Sequence, residues 1–440
     1  MGLAVSGSAL PRGEYRQLRQ GAPARLRGRD RRRAREESGA QLHGHAERRR
    51  PGDLGRCDAV AGADGLSTAD GFQRRDRAVR GVVPGVLREV MVSVDPTGSH
   101  KVRTNKLASL EIGRGIAAIA VVAHHAELSS NAFTSGSTRH WFSFGALGVD
   151  FFFVLSGFII FYVHGSDTRS FSMARRYLGR RLKRIFVPYL PVSAALIVAY
   201  LLLPGLSEGN RDWGLLTSLT LLPSDKPPAL SVAWTLTFEL VFYLFFLLFY
   251  ATRYFWTLVT AWAAVTISSM FLISGDYGMP IIRTFLAPIT LEFIAGMAMA
   301  KVSRKIPNEL WAAALTTGTL VCIMFFLTPD AHRVLFGIGL APVVLGLALA
   351  EARFDLRVPT WALLLGAASY AIYLIHNPLQ SLIARAGAPW DSWMITFLNC
   401  VFLSVIGGII YHLFFEKPAL KYFSDLESRR IYQLKATEYE

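Results

Sequence analysis

Apolar runs of roughly 20 residues, the length of helix that crosses a ~30 Å hydrocarbon core, recur along the chain from about residue 107 onward. Few charges interrupt these runs, whereas charged residues gather between them. The pattern predicts an all-α, polytopic integral membrane bundle of about ten transmembrane helices. We place the helices, in chain order, at 107–127, 144–164, 185–204, 231–250, 254–273, 281–300, 308–327, 334–350, 361–384 and 392–415.

The distribution of lysine and arginine predicts how the bundle is oriented in the membrane. If the N-terminus faces the cytoplasm, the inner segments carry 21 Lys and Arg residues and the outer loops carry at most six. Such an excess on one side is typical of the cytoplasmic face. We therefore expect a multi-pass inner-membrane protein with both termini in the cytoplasm.

The segment before the first apolar run has a different composition. Residues 1–90 contain 19 Arg, 11 acidic residues and no Lys. A basic tail can bind nucleic acid or anionic lipid, but so little apolar surface also indicates disorder. A third interpretation, which we favour, is that the segment is GC-rich upstream DNA translated in frame, with Met91 as the true start. We therefore expect no nucleic-acid partner, and we divide the chain into an extension 1–106, a membrane domain 107–418 and a cytoplasmic tail 419–440.

The first apolar helix carries unexpected polar side chains. Eleven steps of ~100° separate Arg114 from His125, which places them on one face about 16 Å apart. Glu111 lies near that face, whereas His124 is turned ~100° away, as expected for a histidine wetted at the membrane interface. Ionisable groups inside a membrane are costly and are usually functional. We therefore interpret Arg114 and His125 as two ends of one site.

Two isolated glutamates occur in later spans. Glu239 is the one charge of the fourth span and lies at a depth from which it could reach His125. A carboxylate beside an imidazole fixes its tautomer and supports it as a general base, although a structural hydrogen bond between helices is the alternative. Tyr243, one turn later, is a candidate support for this site. Glu292 has no evident partner, and its role stays open between function and structure.

The second span begins with small residues. Gly145, Gly148, Ser156 and Gly157 allow helices to approach closely, which is a common packing device in membranes. Ser156 is also a candidate for supporting the site. Asp150, near the outer end of the span, is a candidate for pairing with a basic group or binding substrate.

The segment "RRYLGRRLKRIFVPYL" is dense in positive charge. Guanidinium groups bind phosphates well, although the preference of basic residues for the cytoplasmic side and for anionic lipid explains much of this density. On a helix, three of these residues form a stripe. The candidate phosphate-binding residues are Arg175, Arg176, Arg180, Arg181 and Arg184.

His376 is another histidine in an apolar segment, with tyrosines nearby, and by itself it is more typical of a buried core residue. The cysteines have no spacing typical of metal ligands or of a disulfide framework. We therefore predict no metal site.

Six segments together resemble successive signatures of the acyltransferase-3 family of integral membrane O-acyltransferases. These segments are "LASLEIGRGIAAIAVVAHH", "GALGVDFFFVLSGFII", "RRYLGRRLKRIFVPYL", "WTLTFELVFYL", "SYAIYLIHNPL" and "FFEKP". Within the family, the form is most similar to exopolysaccharide-production acetyltransferases. The family's Arg-x10-His pattern falls on Arg114 and His125, and its fourth-span glutamate falls on Glu239. Its Phe-Phe-x-x-Ser-Gly motif falls on 152–157, and Glu111 stands where many members have aspartate.

The resemblance implies a reaction. Acetyl-CoA would be the acyl donor, with its phosphates on the cytoplasmic arginines and its pantetheine arm along the Arg114 face. His125 would take the proton from a sugar hydroxyl, and Glu239 would orient the imidazole; an acyl-histidine intermediate is also possible. The implied partners are membrane lipid, a polysaccharide or lipid-linked sugar acceptor, and the exopolysaccharide synthesis machinery. Two alternatives stay open, which are a polysaccharide or lipid-carrier transporter and a transmembrane acyl carrier that serves a separate transferase.

Overall fold

The computed structural model describes the membrane domain and most of the tail, and no β-strand occurs in this part of the chain. The predicted extension and the alternative start at Met91 lie outside the described residues. The described residues are 107–135, 140–203, 212–272, 278–328 and 332–436, with side chains as far as 429.

Helices account for nearly all of the described chain. Numbered in chain order, the α-helices are α1 Ala108–Phe133, α2 Gly148–His164, α3 Phe171–Leu202, α4 Leu215–Thr220, α5 Trp234–Phe246, α6 Leu248–Ala251, α7 Phe255–Leu272, α8 Pro280–Phe285, α9 Thr290–Val302, α10 Trp311–Leu327, α11 Val334–Arg353, α12 Thr360–Gly387, α13 Trp393–Tyr411 and α14 Lys417–Ala436. Short 3-10 turns precede or follow four of them at Ser143–Leu147, Ser231–Ala233, Asn308–Leu310 and Ala388–Trp390. A π-helical turn, His412–Glu416, joins α13 to α14.

Eight helical segments of the described residues are long and apolar enough to cross a membrane. They coincide with eight of the ten predicted spans. The first predicted span is α1, which has sufficient length but carries Glu111, Arg114 and two histidines. The sixth, 281–300, is wrong as a continuous helix, because the chain leaves helical geometry between Phe285 and Thr290. Pro288 lies in that gap, where it lacks a backbone N–H and disfavours helix in the residue before it.

The third helix is longer than predicted. It begins at Phe171, where the hydroxyl of Ser170 accepts a hydrogen bond from Met173 N at 3.3 Å, and continues to Leu202. The arginine-rich segment is thus the first half of a membrane helix and not a separate loop. At the other end of the chain, α14 makes the predicted tail helical as far as Ala436.

Close helix crossings form the centre of the bundle. α1 packs against α12 and α13, and α2 packs against α9. A Cβ atom on Gly157 would lie 2.0 Å from the carbonyl oxygen of Phe293, and one on Gly296 would lie 2.0 Å from that of Val154. The two backbones therefore touch where each helix has a glycine, which confirms the predicted packing role of Gly157.

Candidate active site

A cavity of about 180 Å³ lies between α1, α2, α3, α5 and α12. We call it the inner cavity, because the predicted orientation puts its arginine-bearing end on the cytoplasmic side. It brings together six residues that the sequence singled out, contributed by four helices: Arg114, Ser156, Arg181, Arg184, Glu239 and Tyr243.

The residues of the Phe-Phe-x-x-Ser-Gly motif of α2 have two roles, lining the cavity and packing against a neighbouring helix. Phe152, Phe153 and Ser156 line the inner cavity, whereas Gly157 forms the contact with Phe293 on α9. One short segment therefore shapes the cavity wall and fixes the helix that carries it.

Arg114 lines the cavity from α1. Its Nη1 lies 3.4 Å from Oε1 of Glu111, one turn earlier on the same helix, and its side chain is 18% exposed. Arg184 and Glu239 both act electrostatically on this guanidinium. A single long ion pair leaves other N–H groups of Arg114 available to a ligand, because a guanidinium has five.

Arg181 is held in a different way. Its guanidinium lies over the ring of Tyr177 at 5.8 Å and over that of Tyr243 at 5.6 Å. It makes no ion pair with a carboxylate among the described residues. Aromatic faces position a guanidinium without using its N–H groups, so these donors can serve an anionic ligand in the cavity.

Arg184 pairs with a carboxylate that the sequence analysis assigned no role. Its Nη1 lies 2.9 Å from Oε1 of Glu416, which is fully buried and also 2.8 Å from Nδ1 of His412. The guanidinium lies over Tyr370 at 5.6 Å. Glu416 is the acidic residue of "FFEKP". Its position as an isolated glutamate at the end of an apolar helix could have marked it as a candidate site residue.

The remaining three predicted phosphate-binding residues lie outside the lining of the inner cavity. Arg175 and Arg180 are exposed, and Arg176 is half-buried. They occupy α3 within six residues before Arg181, a rise of about 9 Å along the helix. The predicted arginine cluster therefore divides into two residues that line the cavity and three residues that lie outside its lining on the same helix.

Glu239 faces the inner cavity from α5 and accepts a short hydrogen bond from the hydroxyl of Tyr243. The predicted contact between Glu239 and His125 is not formed in this structure, in which no hydrogen bond joins them among the described residues. Instead, Tyr243 links Glu239 to the guanidinium of Arg181, which lies over its ring.

Three histidine rings lie together away from the lining of the inner cavity. The His125 ring centroid is 5.0 Å from that of His376 on α12 and 5.2 Å from that of His124. Nδ1 of His376 lies 2.6 Å from the carbonyl oxygen of Tyr373, so it carries the proton. Nε2 of His376 and Nδ1 of His125 have no hydrogen-bond partner among the described residues.

These histidines are not a metal site in the described part of the chain, where no group of three His, Cys, Asp or Glu side chains could hold a metal ion. Neighbouring imidazoles with an unpartnered nitrogen are suited to accept or relay a proton. The sequence could not predict the approach of His376 to His125, since 251 positions separate them.

A second group of ionisable side chains, which we call the outer ion cluster, comprises the buried Asp150 and Glu292 and the exposed Arg333. Nε of Arg333 donates to Oδ1 and Oδ2 of the fully buried Asp150 at 2.9 and 3.0 Å. Glu292 is 1% exposed, lies close enough to interact with both, and packs against Gly337. Of the two predicted roles for Asp150, pairing with a basic group or binding substrate, the structure shows the first. The sequence showed no partner for Glu292, and in the structure it interacts with Asp150 and Arg333.

Two more carboxylates have structural roles that the sequence analysis missed. Glu351 of α11 accepts hydrogen bonds from the backbone N–H groups of Ala108 and Ser109 at 2.6 and 2.9 Å, so it caps the start of α1. Glu127 is buried and accepts from the backbone of Trp141 at 2.6 Å. Both satisfy N–H groups that a membrane interior would leave without water.

Comparisons with known proteins agree with this architecture. Residues 107–413 match the "Acyltransferase domain" family. The chain is 30% identical over 310 residues to the "Exopolysaccharide production protein ExoZ" of Rhizobium meliloti (strain 1021), a match that covers 64% of this chain and 92% of that protein. No solved structure matches significantly. The matched region contains every helix that lines the inner cavity, and the chain therefore belongs to the acyltransferase-3 family of membrane acyltransferases.

Proposed function

We propose that the protein transfers an acetyl group, or another short acyl group, from cytoplasmic acetyl-CoA to a hydroxyl of an exopolysaccharide or lipid-linked cell-surface glycan. The observation that carries this proposal is the inner cavity, where Arg114, Arg181 and Arg184 face Glu239 between packed membrane helices. Its apolar remainder suits the neutral arm of an acyl thioester, and its arginines suit phosphates.

The arginines of α3 support an acyl-CoA donor. Arg175, Arg176 and Arg180 lie outside the cavity lining on the same helix as Arg181, and they would bind the nucleotide phosphates of the donor. Arg181 and Arg184 would then contact the donor where it enters the cavity, since guanidinium forks bind phosphate oxygens in pairs. The cavity, of about 180 Å³, would receive the acyl end of the pantetheine arm, with the nucleotide outside it.

The chemistry requires one proton acceptor. The acceptor hydroxyl oxygen attacks the thioester carbonyl carbon, and His125 takes the hydroxyl proton. As the new C–O bond forms and the C–S bond breaks, the CoA thiolate leaves and receives that proton from His125. General-base assistance of this kind typically contributes about 10²–10⁴-fold to the rate. Glu239 would act as a positioning residue. It accepts a hydrogen bond from the hydroxyl of Tyr243 and would thereby hold the Tyr243 ring, over which the guanidinium of Arg181 lies.

The relative named for exopolysaccharide production suggests the acceptor class. We therefore propose an inner-membrane location, contact with membrane lipid, and a polysaccharide or lipid-linked sugar as the second substrate, next to the exopolysaccharide synthesis machinery. Both termini would be cytoplasmic, as the distribution of basic residues predicts.

A deletion strain tests this function against transport. If the protein is a transferase, cells without it export polymer of normal amount and sugar composition that lacks O-acyl groups, which proton NMR of the purified polymer detects. If cells without it export no polymer, the protein acts in transport and the proposal is wrong. A strain that carries the unaltered gene on a plasmid is the control.

A further inference from the structure

A second cavity, of about 390 Å³, lies toward the other end of the same helices. We call it the outer cavity. Its polar lining comes from α1, α3, the turn before α5, and α12, and comprises Ser129, Tyr200, Ser231, Asn377, Ser381 and Arg385. Its volume falls in the ~300–1,000 Å³ range that is usual for small-ligand pockets.

The two cavities follow each other along the same structural elements. On α12, Tyr373 lines the inner cavity and Asn377 lines the outer one. In the segment that leads into α5, Ser231 lines the outer cavity and Thr235 lines the inner one. Four helical residues correspond to a rise of about 6 Å, so the two linings lie about one helical turn apart along these elements, and we call the residues between them the wall.

Hydrogen bonds build this wall from both sides. The hydroxyl of Tyr373 lies 3.0 Å from that of Thr235, within the inner lining. The amide of Asn377 donates to the hydroxyl of Ser231 at 2.6 Å, within the outer lining. The wall is therefore a fixed feature that links α12 to the start of α5.

The histidine pair lies at the height of the wall. His376 falls between Tyr373 and Asn377 on α12, and His125 lies one turn before Leu128, which lines the outer cavity from α1. The ring centroids of the two histidines are 5.0 Å apart. Each ring has a nitrogen without a hydrogen-bond partner among the described residues.

The outer cavity is less charged than the inner cavity. One arginine, Arg385, lines it, and no carboxylate does so within the described residues, whereas three arginines and Glu239 line the inner cavity. The other polar groups of the outer lining are hydroxyls and an amide, which both donate and accept hydrogen bonds. Side chains of this kind match the many hydroxyl groups of a carbohydrate, which also donate and accept. Apolar residues such as Leu128 and Pro378 form the rest of the cavity lining. They can pack against the apolar C–H faces of a sugar ring.

We propose that the outer cavity binds the acceptor as a sugar ring, with the hydroxyl to be acylated directed at His125 and His376. This inference rests on the proposed function, because it assigns the acceptor side of the same reaction. Donor and acceptor would then reach the histidine pair from opposite cavities, and neither substrate would need to pass the other.

The test measures the KM values of the two substrates separately in purified protein. The donor is acetyl-CoA, and the acceptor is an oligosaccharide cut from the cells' own exopolysaccharide and deacetylated with mild base. Ser381→Leu fills the outer cavity from α12, and we expect it to raise the acceptor KM about tenfold or more, equivalent to about 1.4 kcal/mol. The donor KM should change less than about twofold. Ser129→Leu, which fills the cavity from α1, should give the same result.

The control is Leu382→Ala, because Leu382 is the neighbour of Ser381 in sequence but is 52% exposed on the outside of the bundle. It should leave both KM values unchanged. If Ser381→Leu and Ser129→Leu leave the acceptor KM unchanged, or raise the donor KM instead, the outer cavity does not bind the acceptor. If the unaltered protein transfers no acyl group to any glycan, the proposed function fails instead.

A labelling experiment covers the case in which both leucine variants fail to accumulate. Ser381→Cys changes one atom of the lining, and its reaction with a maleimide is measured against the unaltered protein as background. We expect the deacetylated oligosaccharide to slow this reaction and CoA to leave it unchanged. Equal reaction with and without the oligosaccharide would contradict the proposal.

Discussion

The inner cavity and the outer ion cluster both place arginine and glutamate inside one helical bundle, but they use these charges differently. In the outer ion cluster, Arg333 donates from Nε and Nη2 to Asp150, and from Nη2 to the carbonyl oxygen of Ala146 at 2.7 Å. In the inner cavity, Arg181 makes cation–π contacts and Arg114 makes one long ion pair. The first arrangement uses its donors within the protein, whereas the second keeps donors for a ligand.

The difference shows how the contacts of an arginine in the bundle indicate whether it stabilises the fold or binds a ligand. A guanidinium with its donors used within the protein contributes to the fold, and removal of one partner leaves a buried charge unpaired. A guanidinium positioned by aromatic rings beside a cavity is held in place without being neutralised. Arg184 combines both features, since it lines the cavity and is paired with Glu416.

Loss of Arg333 should give the largest effect on the fold. Arg333→Met leaves the buried Asp150 without its partner. Because Arg333 itself is 43% exposed, we expect stability to fall by about 2–3 kcal/mol, less than the about 3–5 kcal/mol of a fully buried pair. The midpoint of thermal unfolding in detergent, followed by tryptophan fluorescence, measures this change. The double variant Arg333→Met with Asp150→Asn removes the unpaired charge and should regain most of the lost stability. An unchanged midpoint in the single variant would show that the outer ion cluster is not structural.

Two isosteric changes then compare the glutamates of the two regions. Glu239→Gln removes the negative charge that faces the arginines of the inner cavity, so we expect the transfer rate to fall about 100-fold, equivalent to about 2.7 kcal/mol. Glu292→Gln is the matched substitution in the outer ion cluster, where Glu292 lies buried beside Asp150, and it should keep a near-normal rate. The measurement is acyl transfer per folded molecule. Equal rates in the two variants would remove the distinction between the regions.

A smaller effect is expected for donor binding by Arg181. Arg181→Met keeps much of the side-chain volume and removes a guanidinium with no carboxylate partner in the described structure, so unfolding should be unaffected. The KM for acetyl-CoA should rise about tenfold, from the loss of one charge-assisted contact to phosphate. Arg169→Met is the control, because Arg169 also lies over an aromatic ring, that of Phe249 at 5.2 Å, but outside the cavity. A normal KM in Arg181→Met would exclude donor contact at this residue.

The smallest effect concerns one hydroxyl group. Tyr243→Phe removes the donor to Glu239 but keeps the ring under Arg181, so we expect a loss of about 1 kcal/mol, or roughly fivefold in transfer rate. Tyr250→Phe removes a comparable hydroxyl, which donates to Asp167 at 2.8 Å outside the inner cavity. Its rate should stay normal. A decrease of the same size in both variants would point to general loosening of the bundle.

The sequence could predict the features that depend on a single helix. Apolar periodicity located eight spans that the structure confirms as helices capable of crossing a membrane, and the glycines of the second span predicted its close packing. The break at Pro288 was missed because the flanking apolar runs appeared continuous. Spacing also grouped Arg175, Arg176 and Arg180 with Arg181 and Arg184, although only the last two line the cavity.

Contacts between helices that are distant in sequence could not be predicted from the sequence. The pair of Arg184 with Glu416 and the approach of His125 to His376 depend on which helices become neighbours. The same limit explains why the predicted contact of Glu239 with His125 is not formed among the described residues, whereas the contact of Glu239 with Tyr243 lies within one helix, one turn apart. Candidate residues can be selected from one helix, whereas their partners require the assembled bundle.

Transfer of isotope-labelled acetyl from acetyl-CoA to deacetylated oligosaccharide by the purified protein tests the central claim most directly. Mass spectrometry of the product, with unaltered protein, His125→Ala and His124→Ala side by side, gives the answer. We predict labelled ester on a sugar hydroxyl with the unaltered protein and with His124→Ala, and a rate about 10²–10⁴-fold lower with His125→Ala. Labelled product at a normal rate from His125→Ala would contradict the account.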